Sequence, residues 1–437
     1  MVSLYFGKHP DIPSLPDVLA VLILVSVISL GSVEGQGPRQ IDQFGTPWWD
    51  SANGVFVDVS GVYVSGETAG VFEGQVSSGG FDAFLRKYDL SGREVWTRQF
   101  GTSQDDVGHA VSLDSTGVYI AGITYGAFPN YENIGLNDAF LAKTDFDGNE
   151  LWVRQFGTTQ GEFLGGISAD GTGVYVVGAV AEALPGQTDL GGPGDAFVRK
   201  YDSQGNELWT RQFGGPGPDS ATGVSVDSTG VYVAGFTWGA LPGHDNMGLN
   251  DVFLAKFDSQ GNGLWTRQFG TVEYDFGNGV SAGMSGVYVV GETLGVMPGQ
   301  SGVGGFDGFV QKFDSEGSLI WTRQLGSSYD DSARSISVSE SGVYLTGITF
   351  GAFQGQTFFG QADVFAQKYD PLGREVWTRQ FGSIDLDDGL SVSAGVSGVH
   401  VVGHTWASLP GQASHGSVDA FIAKLPGIGF IESGNAQ

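Results

Sequence analysis

Short apolar runs separated by turns rich in Gly and Asp recur along the chain from residue 39 onward. The runs are rich in Val, Tyr and Phe, which favour β-strands. Some of them, such as Val174–Val177, do not alternate between apolar and polar positions, which indicates strands buried on both faces. Long helical patterns are absent beyond residue 36. The pattern therefore predicts an all-β protein made of many short strands.

Three sequence anchors repeat with one spacing of 56 or 57 residues. The string Trp-Thr-Arg-Gln-Phe-Gly, with small substitutions, begins at Trp96, Trp152, Trp209, Trp265, Trp321 and Trp377. The string Gly-Val-Tyr, or Gly-Val-His in the last copy, begins at Gly61, Gly117, Gly173, Gly230, Gly286, Gly342 and Gly398. The string Asp-x-Phe begins at Asp82, Asp138, Asp195, Asp251, Asp307, Asp363 and Asp419. Independent anchors that keep one period indicate seven copies of one unit.

Each unit is predicted to contain four strands, here named A to D, joined by turns in which Gly supplies a positive φ. In the second full unit these strands are A near Gly108–Leu113, B at Val118–Thr124, C at Ala139–Thr144 and D at Glu150–Phe156. Seven four-stranded units predict a seven-bladed β-propeller with antiparallel strands over residues 39–425. A solenoid is the alternative, but it needs capping repeats at its ends.

The two ends of the repeat region complement one another. The chain begins with a lone D-type strand, Ile41–Phe44, and its last unit has strands A, B and C without D. We therefore expect the N-terminal D strand to pair with the C-terminal A-B-C strands, which closes the ring and removes exposed sheet edges.

The repeated string Asp-Ala-Phe-Leu-Arg-Lys-Tyr-Asp, followed by Gly-x-x-x-Trp-Thr-Arg-Gln-Phe-Gly, resembles the SBBP β-propeller repeat family. The resemblance covers about residues 39–425 and implies an exported or cell-surface bacterial or archaeal protein, in a family that is mostly uncharacterised. The run from Asp89 to Gly101 is also similar to the tryptophan-docking motif of quinoprotein dehydrogenases, with one residue fewer between Asp and Gly. That similarity implies a structural role for the six repeated Trp residues, each covering a Gly of the neighbouring blade.

The first 35 residues read as a signal peptide or an N-terminal anchor. Lys8 and His9 precede an apolar run at Val18–Leu30, whose 13 residues fall short of the roughly 20 that span a membrane. Val33 and Gly35 fit the −3 and −1 positions of a cleavage site, and an uncleaved anchor is the alternative. We expect a secreted, periplasmic or cell-surface protein with no membrane span in the mature chain and a short tail at residues 426–437.

The formal net charge of −28 changes which partners are plausible. It disfavours nucleic acid and anionic membranes and favours cations or partners with basic patches, although solubility alone also explains it. The chain has no cysteine, which excludes disulfides, thiolate metal sites and cysteine nucleophiles. We expect a monomer that does not bind nucleic acid.

The loops between strands B and C differ most between copies and share one face of the ring with the loops between strands D and A. Variable loops on a rigid scaffold are typical of a binding surface, here for a protein or a glycan. Its candidate ligand-binding residues are Tyr125, Trp238, Phe350 and Trp406.

A carboxylate follows each D–A loop. These residues are Asp50, Asp106, Glu162, Asp219, Asp275, Asp331 and Asp387, or Asp388 in place of Asp387. If they surround the channel mouth together, they would bind a hard cation such as Ca²⁺. The alternative is that each side chain caps its own turn by accepting backbone N–H bonds.

Most basic residues keep fixed positions in the repeat. Seven Lys and six Arg of the 20 basic residues do so, and we interpret them as interblade hydrogen-bond and ion-pair partners. His400, His404 and His415 cluster in the last unit, either as packing residues or as metal ligands, and His400 replaces the Tyr of the other copies.

The sequence contains no nucleophile elbow, phosphate loop or His-Glu zinc motif. The preferred hypothesis is a non-enzymatic exported propeller that acts as a binding or structural scaffold through its long-loop face. One alternative is a carbohydrate-active enzyme, a polysaccharide lyase or hydrolase, with carboxylates such as Asp105–Asp106 and Asp330–Asp331 at the channel mouth. The other is a cell-surface structural protein stabilised by Ca²⁺.

Overall fold

The computed structural model describes residues 37–283 and 285–426. They form seven four-stranded antiparallel sheets whose innermost strands contact one another in sequence, which confirms the predicted seven-bladed β-propeller. The proposed signal or anchor at residues 1–35, with Val33 and Gly35, and the tail after Pro426 lie outside the described residues. The described part of the chain has no helix that is long and apolar enough to cross a membrane.

Each blade runs from an innermost strand A to an outermost strand D, and six blades take their four strands in chain order. Blades 1 and 2 contain β2 (Asp50–Asp58), β3 (Gly61–Thr68), β4 (Asp82–Tyr88), β5 (Glu94–Phe100), β6 (Asp106–Asp114), β7 (Gly117–Thr124), β8 (Asp138–Thr144) and β9 (Glu150–Phe156). Blades 3 and 4 contain β10 (Glu162–Asp170), β11 (Gly173–Val180), β12 (Asp195–Tyr201), β13 (Glu207–Phe213), β14 (Asp219–Asp227), β15 (Gly230–Thr237), β16 (Asp251–Phe257) and β17 (Gly263–Phe269). Blades 5 and 6 contain β18 (Asp275–Gly283), β19 (Gly286–Thr293), β20 (Asp307–Phe313), β21 (Leu319–Leu325), β22 (Asp331–Ser339), β23 (Gly342–Thr349), β24 (Asp363–Tyr369) and β25 (Glu375–Phe381).

Blade 7 joins the two ends of the ring. It consists of β26 (Asp387–Gly395), β27 (Gly398–Thr405), β28 (Asp419–Leu425) and, as its D strand, β1 (Gln40–Phe44). The antiparallel register runs from Gln40 opposite Lys424 to Phe44 opposite Ala420, which confirms the predicted closure. Phe44 then packs into blade 1, where its ring lies 6.0 Å from that of Phe84.

The apolar core lies between neighbouring blades rather than inside one sheet. Each Tyr of Gly-Val-Tyr and each Phe of Asp-x-Phe is almost completely buried in clusters that combine residues of two blades. Tyr175, for example, packs with Val231 and Phe253 of the next blade. These anchors therefore recur because every blade must present the same apolar face to its neighbour.

In blades 1 to 5 the repeated Trp, Arg and Lys residues bind the C–D turn of the next blade. Trp96 lies over Gly148, whose φ of 80° and close contact with the indole both require glycine. Lys87 Nζ donates to the Phe146 carbonyl at 3.2 Å, and Arg98 Nη2 donates to the Asp147 carbonyl at 2.9 Å. Trp209, Trp265 and Trp321 contact the equivalent glycines, and Trp152 Nε1 donates to the Ser203 carbonyl at 3.3 Å. Within the described residues none of the repeated lysines forms an ion pair.

Strand A differs from its prediction in one respect. It begins at Asp106 rather than Gly108 in blade 2, and a β-bulge at His109 shifts its register against β7. The bulged residue has no partner in the ladder, so its side chain is free to face the central channel. Every strand A carries this bulge, and the bulged residues that line the channel are Asn53, His109, Gly165, Thr222, Asn278, Arg334 and Leu390.

Replacing Phe44 with Ala tests the closure. Phe44 is 6% exposed, so we expect the variant to lose about 3–5 kcal/mol in free energy of unfolding, measured by chemical denaturation. Phe100→Ala at the same repeat position of blade 1 is the matched control and should cost a similar amount. Deleting Arg39–Gly45 should lower the melting temperature further. A nearly neutral Phe44→Ala variant would contradict the closed ring.

Candidate binding surface at the channel mouth

We use the name loop face for the end of the ring that carries the B–C and D–A loops, where the central channel opens. Strand A descends from this face along the channel, and strand B returns to it. Among the described residues, the opposite face, named the turn face, carries the short A–B and C–D turns. Side chains at the start of strand A, at the end of strand B and in the adjoining loops therefore surround the channel mouth.

The four predicted ligand-binding residues share one repeat position, the first residue after strand B. Their exposed fractions are 46% for Tyr125, 44% for Trp238, 41% for Phe350 and 45% for Trp406. Their backbone is fixed, since each N–H donates to a D–A loop carbonyl, as Trp406 does to Leu386 at 3.0 Å. The fifth large apolar residue at this position is Leu294, which is 39% exposed. The sequence prediction did not include it because the predicted residues are all aromatic.

The D–A loops contribute exposed apolar side chains that sequence reasoning missed. Trp48 is 64% exposed, Tyr329 62% and Ile384 84%. The signal was present, because the three residues before each D–A carboxylate differ in every unit.

Some of these aromatic residues form contacts across blade boundaries. Trp49 lies edge-on to Trp406 of blade 7 with ring centroids 5.7 Å apart, and it lies equally close to His404. Tyr274 of blade 5 lies 5.9 Å from Trp238 of blade 4. The loop face therefore presents composite aromatic surfaces that combine residues of two blades.

Below the mouth, the bulged residues give the channel a mixed polar lining. Arg334 contacts Asp388 at 3.4 Å, and Asn278 Nδ2 donates to the Ala333 carbonyl at 3.0 Å. Burial lowers the pKa of His109 to about 4, so this imidazole is neutral at neutral pH. Several of these side chains thus join neighbouring blades as well as lining the channel.

Each D–A carboxylate accepts hydrogen bonds from the residue four positions before it. Asp50 accepts the Thr46 N–H at 2.6 Å and the Thr46 hydroxyl at 3.0 Å, and Glu162 accepts the Thr158 N–H at 2.8 Å. The same N–H bond is made by Asp106, Asp219, Asp275, Asp331 and Asp387. This geometry is turn capping, and it identifies Asp387 rather than Asp388 as the member of the set in blade 7.

Each capping carboxylate also lies beside the Asp of the preceding blade's Asp-x-Phe string. Asp275, for example, lies near Asp251, which accepts the Gln268 amide at 2.7 Å. A Cβ on Gly270 would meet the two carboxylates at 2.6 and 3.0 Å, so only glycine fits between them. Seven buried carboxylate pairs therefore lie between the blades.

Burial is the main influence on the acidity of the capping carboxylates. It raises the pKa of Glu162 to about 7 and those of Asp219, Asp331 and Asp387 to about 6, against hydrogen bonds that lower them. The second carboxylate adds a smaller increase. In the pair of Glu162 and Asp138, one oxygen of each carboxylate has no hydrogen-bond partner.

No three His, Asp or Glu side chains of residues 37–283 and 285–426 come together as a metal-binding group. His400 is 2% exposed in the position of the repeated Tyr, and burial, with a smaller effect of Lys424, lowers its pKa to about 4. His404 contacts Trp49, and His415 Nε2 lies 3.2 Å from the Gln43 carbonyl. Their geometry is that of packing residues.

Because Glu162 is buried beside Asp138, we expect the free energy of unfolding to depend on pH. Because the folded-state pKa of Glu162 is raised from 4.5 to about 7, its stabilising contribution is complete below about pH 4.5 and is lost as the pH rises through about 7. Glu162→Gln cannot ionise, so it should gain on the order of 1 kcal/mol over the wild type between about pH 5 and about pH 8, after discounting for partial solvation. Chemical denaturation of the variant and the wild type at both pH values measures this difference in free energy of unfolding. Glu132→Gln, an exposed change in the B–C loop of the preceding blade, which also contains Asp138, should leave the pH profile unchanged. A Glu162→Gln profile parallel to that of the wild type would refute the prediction.

Calcium titration followed by thermal melting tests the carboxylate set as a Ca²⁺ site. We expect no rise in melting temperature, because each capping carboxylate already accepts the bonds of its own loop. A rise of several degrees that chelation reverses would favour the calcium-stabilised alternative.

One curated relative and several solved structures resemble the chain. "Regulatory protein FlaEY" of Caulobacter vibrioides is 30% identical over 197 residues, which cover 40% of this chain and 20% of the relative. The chain thus matches about a fifth of the length of that relative. The WD40 β-propeller domain of Doa1 is 12% identical, with a TM-score of 0.47 and coverage of 89% of this chain and 96% of that one. The phage phi92 endosialidase is 11% identical, with a TM-score of 0.44 and coverage of 92% and 72%.

Residues 208–242 match the SBBP β-propeller repeat family. The matched stretch contains Trp209 and the Gly-Val-Tyr string at Gly230, two anchors that the other units share with it. Together with the seven-bladed fold, this match supports the predicted resemblance of the chain to the SBBP-type β-propeller repeat family.

Proposed function

We propose that this protein is an exported, non-enzymatic scaffold that binds a protein or a glycan through its loop face. The observation that carries the proposal is the exposure of large apolar side chains at one repeat position, the first residue after strand B. Tyr125, Trp238, Phe350 and Trp406 are all between 41% and 46% exposed there. Aromatic residues exposed together on one surface are typical of interaction sites.

The scaffold beneath these residues supports a binding role. Its backbone is held by continuous antiparallel ladders and by the hydrogen bonds between each B–C loop and the D–A loop beside it. A loop that is already ordered loses little conformational entropy when it binds a ligand. The loop residues that differ between units are thus held by a rigid backbone, as in other loop-based recognition surfaces.

The carboxylates proposed for an enzymatic alternative have structural partners. Asp106 and Asp331 are capping residues with exposures of 0% and 1%, and their neighbours Asp105 and Asp330 accept backbone N–H bonds from Phe81 and Phe306, each at 2.9 Å. A general acid or base must reach a bound substrate, and completely buried side chains do not. These contacts favour the non-enzymatic proposal.

Export remains part of the proposal and depends on the N-terminal sequence. The apolar run at Val18–Leu30 and the absence of cysteine suit a secreted, periplasmic or cell-surface protein. N-terminal sequencing of the protein recovered from extracellular and cell fractions would locate it and establish whether cleavage follows Gly35.

Substitution at the exposed aromatic position tests the binding role. A ligand is first selected by a glycan array and by pull-down of surface proteins with the purified protein. Trp406→Ala and Trp238→Ala should each weaken binding of that ligand about tenfold or more, since buried aromatic contacts dominate interface energies. The affinity is measured by calorimetry, and unchanged melting temperatures exclude misfolding.

The matched control is Leu372→Ala, a residue that is 68% exposed on the opposite face. It should retain wild-type affinity. If both Trp variants bind as the wild type does and Leu372→Ala does not, the binding surface lies on the turn face and the proposal fails.

A further inference from the structure

Two of the seven blade interfaces share an arrangement of aromatic and acidic residues at the channel mouth. At the interface of blades 7 and 1, Trp406 follows strand B of blade 7 and contacts Trp49 of blade 1. Glu67, the seventh residue of β3, lies beside the Trp49 indole N–H. The three side chains form the first aromatic–carboxylate site.

The second site repeats these positions at the interface of blades 4 and 5. Trp238 follows strand B of blade 4 and contacts Tyr274, which occupies the position of Trp49. Glu292 is the seventh residue of β19, the position of Glu67. The N–H of Leu294 donates to the Tyr274 carbonyl, as that of Ala69 donates to Trp49, so the two backbones are equivalent.

The combination is confined to these two interfaces. The other five blades have no Glu at the position of Glu67 and no aromatic residue at the position of Trp49. Their residues at the first position are Ile123, Ala179, Phe236, Ile348 and His404, and at the second Asp105, Gly161, Pro218, Asp330 and Leu386. An aromatic ring and a carboxylate therefore occur together or not at all, which indicates one joint purpose rather than a need of the repeat.

Neither carboxylate has an ionic partner among the described residues. The ion pairs there involve Arg86, Arg93, Arg199, Arg334 and Arg374, none of which contacts Glu67 or Glu292. A half-buried carboxylate beside an aromatic ring, as Glu67 lies beside the Trp49 indole, attracts a cation through its own charge and through the negative face of the ring.

We propose that the two aromatic–carboxylate sites bind Lys or Arg side chains, so that the partner of the loop face is a protein that presents a basic segment. The inference rests on the proposed binding role of this face and adds the chemistry of its partner. Two sites separated by three blades on one side of the ring and four on the other lie nearly opposite across the channel, and one extended segment can reach both.

The charge of the molecule favours this partner over a neutral glycan. The chain carries a net charge of −28, and the repeated Lys and Arg residues of blades 1 to 5 donate to the C–D turns of the next blades. The loop face also carries Asp105, Asp330 and Asp385 in its D–A loops. A basic segment is attracted by this field and oriented by the two sites.

Glu67 should make the affinity for a basic segment depend on pH. Burial raises the pKa of Glu67 to about 7, with Trp49 opposing the shift and Asp105 adding to it. Asp105 is the charged group that acts on Glu67, whose register partners Ser51 on β2 and Ala83 on β4 carry no charge. The titratable group of the neighbouring blade is His404, which packs against Trp49 and whose pKa is lowered by burial. A cation binds the ionised form, so affinity should rise as the pH increases through about 7.

The test uses a fluorescent lysine decapeptide as the probe, with a glutamate decapeptide and a neutral cello-oligosaccharide as comparison ligands. Affinities of the purified protein are measured by anisotropy at about pH 6 and about pH 8. Glu67→Gln and Glu292→Gln should each weaken lysine-peptide binding about tenfold, the order expected for a partly buried cation site. Glu67→Gln should also lose most of the increase in affinity between the two pH values.

The matched control removes two charges elsewhere. Glu316→Gln combined with Glu340→Gln changes exposed carboxylates of the turn face and leaves both sites intact. It should reduce the lysine-peptide affinity far less than Glu67→Gln combined with Glu292→Gln. Equal losses in the two double variants would show a diffuse charge effect and overturn the inference.

The outcomes separate this inference from the proposed function. If the cello-oligosaccharide binds and depends on Trp238 and Trp406 while the lysine peptide does not bind, the loop face binds ligands but the basic-segment inference is wrong. If Trp406→Ala and Trp238→Ala change the binding of no ligand, the proposed function fails as well. Unchanged melting temperatures of all variants exclude loss of fold as the cause.

Discussion

The pairing of β1 with β28 is the interaction on which the rest of the structure depends. Each blade buries its apolar residues against both neighbours, so an open ring would leave two faces of Tyr, Phe and Val side chains in water. The five residue pairs from Gln40–Lys424 to Phe44–Ala420 close the ring with main-chain hydrogen bonds. With no cysteine in the chain, this non-covalent closure joins residues nearly 400 positions apart in sequence.

The repeat divides its residues between support and recognition. The Tyr, Phe, Trp, Lys, Arg, Gln and Asp residues that keep their spacing hold one blade to the next, through buried rings, turn carbonyls and capped loops. Positions that differ from copy to copy lie at the start of strand A, the end of strand B and the loops beside them. The residues that differ between units therefore lie together at one end of the channel. The composite aromatic surfaces at Trp49 and Tyr274 form there, where two blades meet.

Much of this architecture is predictable from the sequence, for physical reasons. Three anchors with one period fix the number of blades, and the unmatched strands at the two ends fix the closure. The prediction of the outer strand at Glu150–Phe156 matches the structure, because its turn residues define both ends. The bulge at His109 was not predictable in the same way, since an extra residue in strand A leaves the spacing of the anchors unchanged. The pairing of Glu162 with Asp138 was missed because it depends on how two blades approach each other, which no pattern within one unit records.

The bulges in the seven A strands have a consequence for how such a molecule can change. A bulged side chain takes no part in pairing, so Asn53, Arg334 or Leu390 can be exchanged for another residue while the ladders of their blades remain intact. Charge, size or hydrogen-bonding capacity can vary one residue at a time at six of these positions, with the loss only of interblade contacts such as that of Arg334 with Asp388. The seventh, Gly165, has no room for a side chain, because a Cβ there would meet the Ala221 carbonyl. Duplication of a single unit followed by drift at this position would diversify the interior of the ring without a new fold, and the same freedom makes the channel a natural place to introduce designed chemistry.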